Sequence, residues 1–283
     1  MNQRMYLPKN PFFSIIKHKF MIGIFDSGVG GLTVAKEIFK HLPKYQTIYF
    51  GDTARLPYGT KGADFVKKYS AKITGWLLNK KAKIIVIACH TSSAWAGDFL
   101  RKKYKNVPIF DMISFTAKEV MEKTKNKKIG IIGTPGTIKS NAWSKAIKKT
   151  DTSLKIYSQA CPLFVPMVEM GFTKGAVTEK VAQEYLKKMK AEGVDVLVLA
   201  CTHYPLLMPV IKKIMGANVK IINPAESTAK EIKIFLEENT RVEKDIKKGT
   251  VHQFFFSDEP YNLEKISQIC FGKKIKAKVN DPF

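Results

Sequence analysis

Residues 196–207, VLVLACTHYPLL, constrain this chain more than any other stretch, because a strand, a thiol and a helix start fall within a dozen positions. A short continuous apolar run closed by turn chemistry reads as a strand buried on both faces, as in a parallel sheet. Thr202 is placed to cap the helix that follows, and Pro205 fits its first turn, where no backbone N–H is required. Cys201 then sits at the C-terminal end of a strand and at the positive end of a helix, where a thiol ionises more readily.

The construction occurs twice. Residues 84–100, IIVIACHTSSAWAGDFL, repeat the apolar run, the Ala-Cys step, the short polar turn and the helix, with Cys89 in the place of Cys201. Each unit follows a similar strand and turn, IGIFDSGVGGLTV from Ile22 and IGIIGTPGTIKS from Ile129. The cysteines lie 112 positions apart and the glycines Gly23 and Gly130 of the opening strands 107, so the chain reads as two α/β lobes on one plan. Two pseudo-symmetric lobes, each a parallel sheet flanked by helices and each bearing one cysteine, predict an active site in the cleft between them.

With 283 residues and 45% hydrophobic content the chain can bury two ordinary cores, and no apolar run is long enough to cross a bilayer. Four widely spaced cysteines, without a C-x-x-C pair, indicate neither a zinc site nor a disulfide framework, and reduced thiols in a cytoplasmic enzyme are the simpler reading. The net charge of +24 raises nucleic-acid or anionic-membrane binding. Its lysines, however, are spread over nearly every helix with no nucleic-acid motif beside them, so a solvated basic surface is preferred; the field still attracts an acidic substrate. Residues 1–20 are basic, lack acidic side chains and carry no apolar core of roughly 7–15 residues, so they read as a disordered extension, with folded chain from Met21.

Gly28, Gly30 and Gly31 suggest a phosphate-cradling turn, and Asp52 lies where a dinucleotide fold places its ribose carboxylate, but Thr33 occupies the third glycine position and no Walker sequence occurs. What remains is a turn whose backbone approaches a small ligand, with Asp26 and Ser27 at the strand end. Asp26 is equally read as a helix cap. Pro57, Tyr58 and Gly59 make a defined turn whose tyrosine hydroxyl either faces a pocket or serves structure. In the second lobe a strand over 129–132 leads to the GTPGT turn with Thr134 and then a helix to Ala146. Glu169 stands among Val168, Met170 and Phe172, as a satisfied structural acid or a tuned catalytic one. The tail over 251–270 has no place in the repeat and is expected to pack on the first lobe.

Two thiols facing one ligand suit inversion of a carbon centre: one base takes a proton from one face and a conjugate acid returns one on the other. Helix N-termini and neighbouring donors can draw a thiol from about 8.5 towards neutrality, and His203 with Glu169, and Asp26, are placed to tune Cys201 and Cys89. Taken singly each cysteine reads as an inert core residue; the duplicated placement favours the functional reading.

FDSGVGGLTV, GDTARLPYG, VIACHTSSA, VPMVEMG and LACTHYPLL, in this order, resemble the cofactor-independent glutamate racemases over residues 22–272. The resemblance implies interconversion of L- and D-glutamate, supplying D-glutamate for peptidoglycan, with no pyridoxal phosphate, metal or nucleotide. It implies that Cys201 works on the L face and Cys89 on the D face, with Asp26, His203 and Glu169 as auxiliary groups. Substrate-pocket positions by the same resemblance are Asp26, Ser27, Pro57, Tyr58, Gly59, Thr91, Thr134, Cys201, Thr202 and His203. The lobes would be 21–114 with 223–283, and 115–222. A small-molecule substrate is the expected partner, a homodimer is left open, and neither membrane nor nucleic acid is expected.

One position departs from the pattern. The family carries Asn after its first catalytic cysteine, where this chain has His90. That Asn bonds the amino-acid end of the substrate; an imidazole donates or accepts too, but is bulkier and can titrate. His90 is therefore expected to replace the contact at some cost in activity, or else to turn aside. Competing readings are a racemase of another acidic amino acid, such as aspartate, and a weakened descendant whose basic surface binds nucleic acid.

Overall fold

Four apolar strands carry the first sheet: β1 (Met21–Asp26), β2 (Thr47–Gly51), β3 (Ala82–Ile87) and β4 (Ile109–Asp111). The second holds β5 (Lys128–Gly133), β6 (Lys155–Ala160), β7 (Val196–Ala200) and β8 (Lys220–Ile222). All pairings are parallel, and the orders β2-β1-β3-β4 and β6-β5-β7-β8 are the same, so the sequence repeat is a repeat of topology. β1 and β7 are buried along their whole length, which is why their sequences, Asp26 excepted, are apolar at every position rather than at alternate ones. Two later strands, β9 (Gln253–Phe256) and β10 (Lys278–Val279), add to the β2 edge, so the tail enlarges the first sheet to six strands.

The computed structural model describes residues 19–283. The extension read over 1–20 lies outside them except for Lys19 and Phe20. Phe20 already pairs: its N–H donates to Asp245 O at 2.8 Å and its carbonyl accepts from Lys247 N at 2.7 Å, so paired backbone starts one residue before Met21. Among the described residues no helix is long and apolar enough to cross a membrane. No group of three or more His, Cys, Asp and Glu side chains among them could hold a metal ion.

One apolar cluster runs through both sheets. It includes Ile22, Ile24 and Val86 of the first and Ile129, Ile131 and Val198 of the second, together with Val120 and Ala229 on helices Thr116–Lys123 and Pro224–Glu238. A second cluster covers the other face of the second sheet and includes Cys161 and Cys201. The shared core fixes the sheets relative to each other, and register then fixes what their ends present. Phe25 pairs with Ile87 and Gly133 with Ala200, which sets Asp26 beside the Ala88–Cys89 step and Thr134 beside Cys201.

The helix expected to run to Ala146 is two helices, Pro135–Lys139 and Ala142–Thr150. Asn141 breaks it in the left-handed conformation (φ 59°), which asparagine tolerates better than most residues. Thr202 is not a helix cap either. A 3-10 turn, Tyr204–Leu207 with Pro205 in it, precedes the helix Met208–Met215, and the Thr202 hydroxyl is used elsewhere.

Candidate active site

The C-terminal ends of β1, β3, β5 and β7 surround one cleft. Cys89 and Cys201 both line it, each 5% exposed, one from each sheet. Ser27, Pro57, Tyr58, Gly59, His90 and Thr91 complete the first-sheet side, and Thr134, Thr202 and His203 the second. Leu56, in a loop, and Val165, on helix Phe164–Glu169, also line it; as single apolar residues they carried no signal in the sequence. The cleft is narrow, a space of about 350 Å³ that includes its opening to solvent.

Cys89 is itself the N-cap of helix His90–Lys103: its Sγ accepts from Ser92 N at 3.5 Å and donates to Ser27 Oγ at 3.8 Å. Burial and the Asp26 carboxylate push its thiol up to about 12, against the Ser92 N–H, so Cys89 is protonated at neutral pH. Cys201 Sγ lies 3.9 Å from His203 Nδ1, and His203 Nε2 lies 2.9 Å from Glu169 Oε1. Burial opposes a charge on His203, but the bonds to Cys201 and Glu169 outweigh it and raise the imidazole to about 10. A cation thus faces Cys201 across the neutral range.

Asp26 and Glu169 stand behind the cleft rather than in its wall. Asp26 is fully buried and its carboxyl is pushed up to about 6 by burial, in spite of the nearby His203 cation. It accepts from Gly28 N at 3.0 Å inside the turn, so it is not the helix cap the sequence also suggested, since helix Leu32–His41 starts from Gly31 with no side-chain cap; it also accepts from Thr202 Oγ1 at 3.4 Å, which ties the first sheet to the Cys201 turn. Thr33 Oγ1 adds a second tie, to Thr202 O at 2.8 Å. Gly30 permits this approach, since a Cβ there would lie 2.5 Å from both the His203 ring and Thr202 Oγ1.

On the opposite rim, Thr91, Thr134 and Thr137 bond one another at 2.9–3.1 Å across the two sheets. Thr137 escaped the sequence reading because it points into this triangle from one turn beyond Thr134. The Tyr58 hydroxyl turns away from the cleft to Asp52 Oδ2 at 2.5 Å, so its ring, not its oxygen, forms the wall. Asp52 holds this network and not a ribose. His90 lines the cleft at 4% exposure with its ring stacked on Trp143, centroids 5.9 Å apart. Burial lowers its pKa to about 3, so the charge change expected of an imidazole does not occur near neutrality. Trp143 was the unseen partner: 53 positions separate it from His90 and nothing local marks the pair.

A family model for Asp/Glu/hydantoin racemases matches residues 28–232. A glutamate racemase of Geobacter metallireducens is 43% identical over 254 residues, covering 90% of this chain and 93% of the relative. The crystal structure of a glutamate racemase isoform from Bacillus anthracis superposes with a TM-score of 0.87 at 36% identity, covering 94% of this chain and 98% of the other. The glutamate racemase of Francisella tularensis, solved in complex with D-glutamate, gives 0.84 at 35% identity, covering 93% and 97%. Two sheets of one topology, a thiol from each in one cleft, and these matches along most of the sequence lead to one assignment: the chain belongs to the Asp/Glu/hydantoin racemase family.

Proposed function

We propose that this protein is a glutamate racemase, an isomerase that inverts the α-carbon of glutamate by proton transfer between Cys89 and Cys201. The observation that carries the mechanism is the pair of thiols on one cleft, contributed by equivalent strand ends of two like sheets. In one direction Cys201 Sγ takes the α-proton of L-glutamate as the Cα–H bond breaks. The electron pair spreads into the α-carboxylate, and the Cys89 thiol gives its proton to the opposite face to form D-glutamate. After one turnover the two sulfurs have exchanged protonation; proton exchange with solvent resets them for the next L-glutamate, and a D-glutamate turned over in reverse does the same.

The site electrostatics fit these roles. Cys89, whose thiol burial holds far above neutrality, is the donor, while the His203 cation, held by Glu169, lies 3.9 Å from Cys201 Sγ. Helix N-termini and the hydroxyls of Ser27, Thr91, Thr134 and Thr202 supply donors for the substrate's carboxylates. The narrow cleft keeps water from the carbanion. His90 takes the place of the family's Asn as a neutral imidazole beside the amino-acid end of the substrate. The lobe bounds 21–114 with 223–283 and 115–222, a cytoplasmic setting and supply of D-glutamate to peptidoglycan belong to the same reading.

The test is circular dichroism of purified protein given L-glutamate and L-aspartate separately, with no cofactor added. Decay of the L-glutamate signal to zero is expected. A stable signal, or faster loss with aspartate, overturns the assignment.

A further inference from the structure

Arg55 does not line the cleft, yet it immediately precedes the segment Leu56, Pro57, Tyr58 and Gly59 that does. Its guanidinium spans two carboxylates from distant parts of the chain. Nη1 donates to Asp52 Oδ1 at 2.7 Å, and Nη2 donates to both oxygens of Asp281, 226 residues away, at 2.9 and 2.7 Å. Asp52 is fully buried, and its other oxygen receives the Tyr58 hydroxyl at 2.5 Å. Ser257 Oγ also donates to Asp52 Oδ1 at 2.8 Å, but a buried carboxylate requires a cation, and among the described residues Arg55, itself 13% exposed and lying over the Tyr69 ring, is the one that reaches it.

We propose that Arg55 and Asp281 are positioning residues for the racemisation: acting through Asp52, they fix the Tyr58–Gly59 wall of the cleft. The fork carries the inference. An arginine serving only to fasten the tail would satisfy Asp281 alone, whereas this one divides its donors so that the Asp281 pair orients the group that holds Asp52. The position of the wall matters because the clearance is nil. A Cβ on Gly59 would lie 2.6 Å from Thr134 Cβ, so the two sheets already touch there and a small displacement of this segment changes the space left for substrate.

The inference rests on the proposed activity, and two readouts keep them apart. Asp281 is 37% exposed, so Asp281→Ala should fold. It is expected to raise KM for glutamate about three- to fivefold with kcat within twofold. It should also speed hydrogen exchange over residues 56–61, where the Lys61 N–H donates to Tyr58 O at 3.0 Å. Asp281→Glu should restore most of both. In a Tyr58→Phe background, where the link to Asp52 is already cut, Asp281→Ala should leave KM unchanged. Unaltered exchange, an unaltered KM in the single variant, or an equal KM rise in both backgrounds overturns the relay. Absence of racemisation by the unmodified protein overturns the functional reading instead, and the exchange comparison still judges the relay.

Discussion

Glu169→Gln is the most informative perturbation of the charge arrangement around Cys201. It keeps the shape of the side chain and a hydrogen-bonding group 2.9 Å from His203 Nε2, but removes the negative charge. His203 is 5% exposed on its side chain and Glu169 26%, so the pair is only weakly screened. A charge-assisted hydrogen bond in such a place is worth about 2 kcal/mol. At about 1.4 kcal/mol per decade, its loss lowers the His203 pKa from about 10 by roughly 1.5 units. If the His203 cation is what favours negative charge at Cys201, the alkaline limb of kcat/KM moves down by about 1.5 units, so the loss is small at neutrality and approaches about 30-fold above pH 10. Because the folded pKa is raised above 6.5, the stabilisation is fully present below that pH and lost as pH rises through about 10. The melting-temperature difference between the two proteins should therefore be largest below neutrality and vanish in strong alkali. The assay is the pH profile of kcat/KM for both enantiomers by circular dichroism. A value within twofold of wild type with an unmoved alkaline limb would refute the role given to the His203–Glu169 pair.

Gly30→Ala drives a methyl into His203 and Thr202 and should cost about 1–3 kcal/mol, several degrees in melting temperature, with at least a tenfold loss in kcat/KM; unchanged melting and turnover would show that the contact is slack. Asp26 has a folded pKa near 6 against 3.8, so stability falls as pH rises from about 4 through 6, by up to about 3 kcal/mol. Asp26→Asn should flatten that slope in melting experiments, and an identical slope in both proteins would place the titration elsewhere. His90→Asn should raise kcat/KM about 2- to 10-fold, the worth of one neutral hydrogen bond, while lowering the melting temperature through the gap left beside Trp143. An equal or lower kcat/KM would mean that His90 makes no inferior substitute contact.

What the sequence made legible follows from local physics. β1, β3, β5 and β7 carry continuous apolar runs because both their faces are covered, broken only at Asp26, Lys83 and Lys128 near strand ends, so those ends, and with them Asp26, Cys89, Thr134 and Cys201, could be placed by inspection. The duplicated Ala-Cys step disclosed the like topology of the two sheets. Groups joined only by tertiary structure stayed hidden. The Arg55–Asp281 pair, the stacking of His90 on Trp143 and the Thr91–Thr134–Thr137 triangle join residues that no periodicity relates. Thr202 shows the limit of cap rules, since tertiary contact with Asp26 takes the hydroxyl that a local reading assigns to the helix.

The central claim is that two sulfurs serve opposite faces of one α-carbon. Its most direct test is Cα–H exchange in D₂O, from L- and D-glutamate separately, with wild type, Cys89→Ser and Cys201→Ser. Wild type should wash deuterium into both enantiomers while racemising. Each variant should lose sustained racemisation by at least about a hundredfold, with any residual exchange confined to one enantiomer and the favoured enantiomer opposite in the two variants. Racemisation surviving near the wild-type rate in either variant would contradict the account.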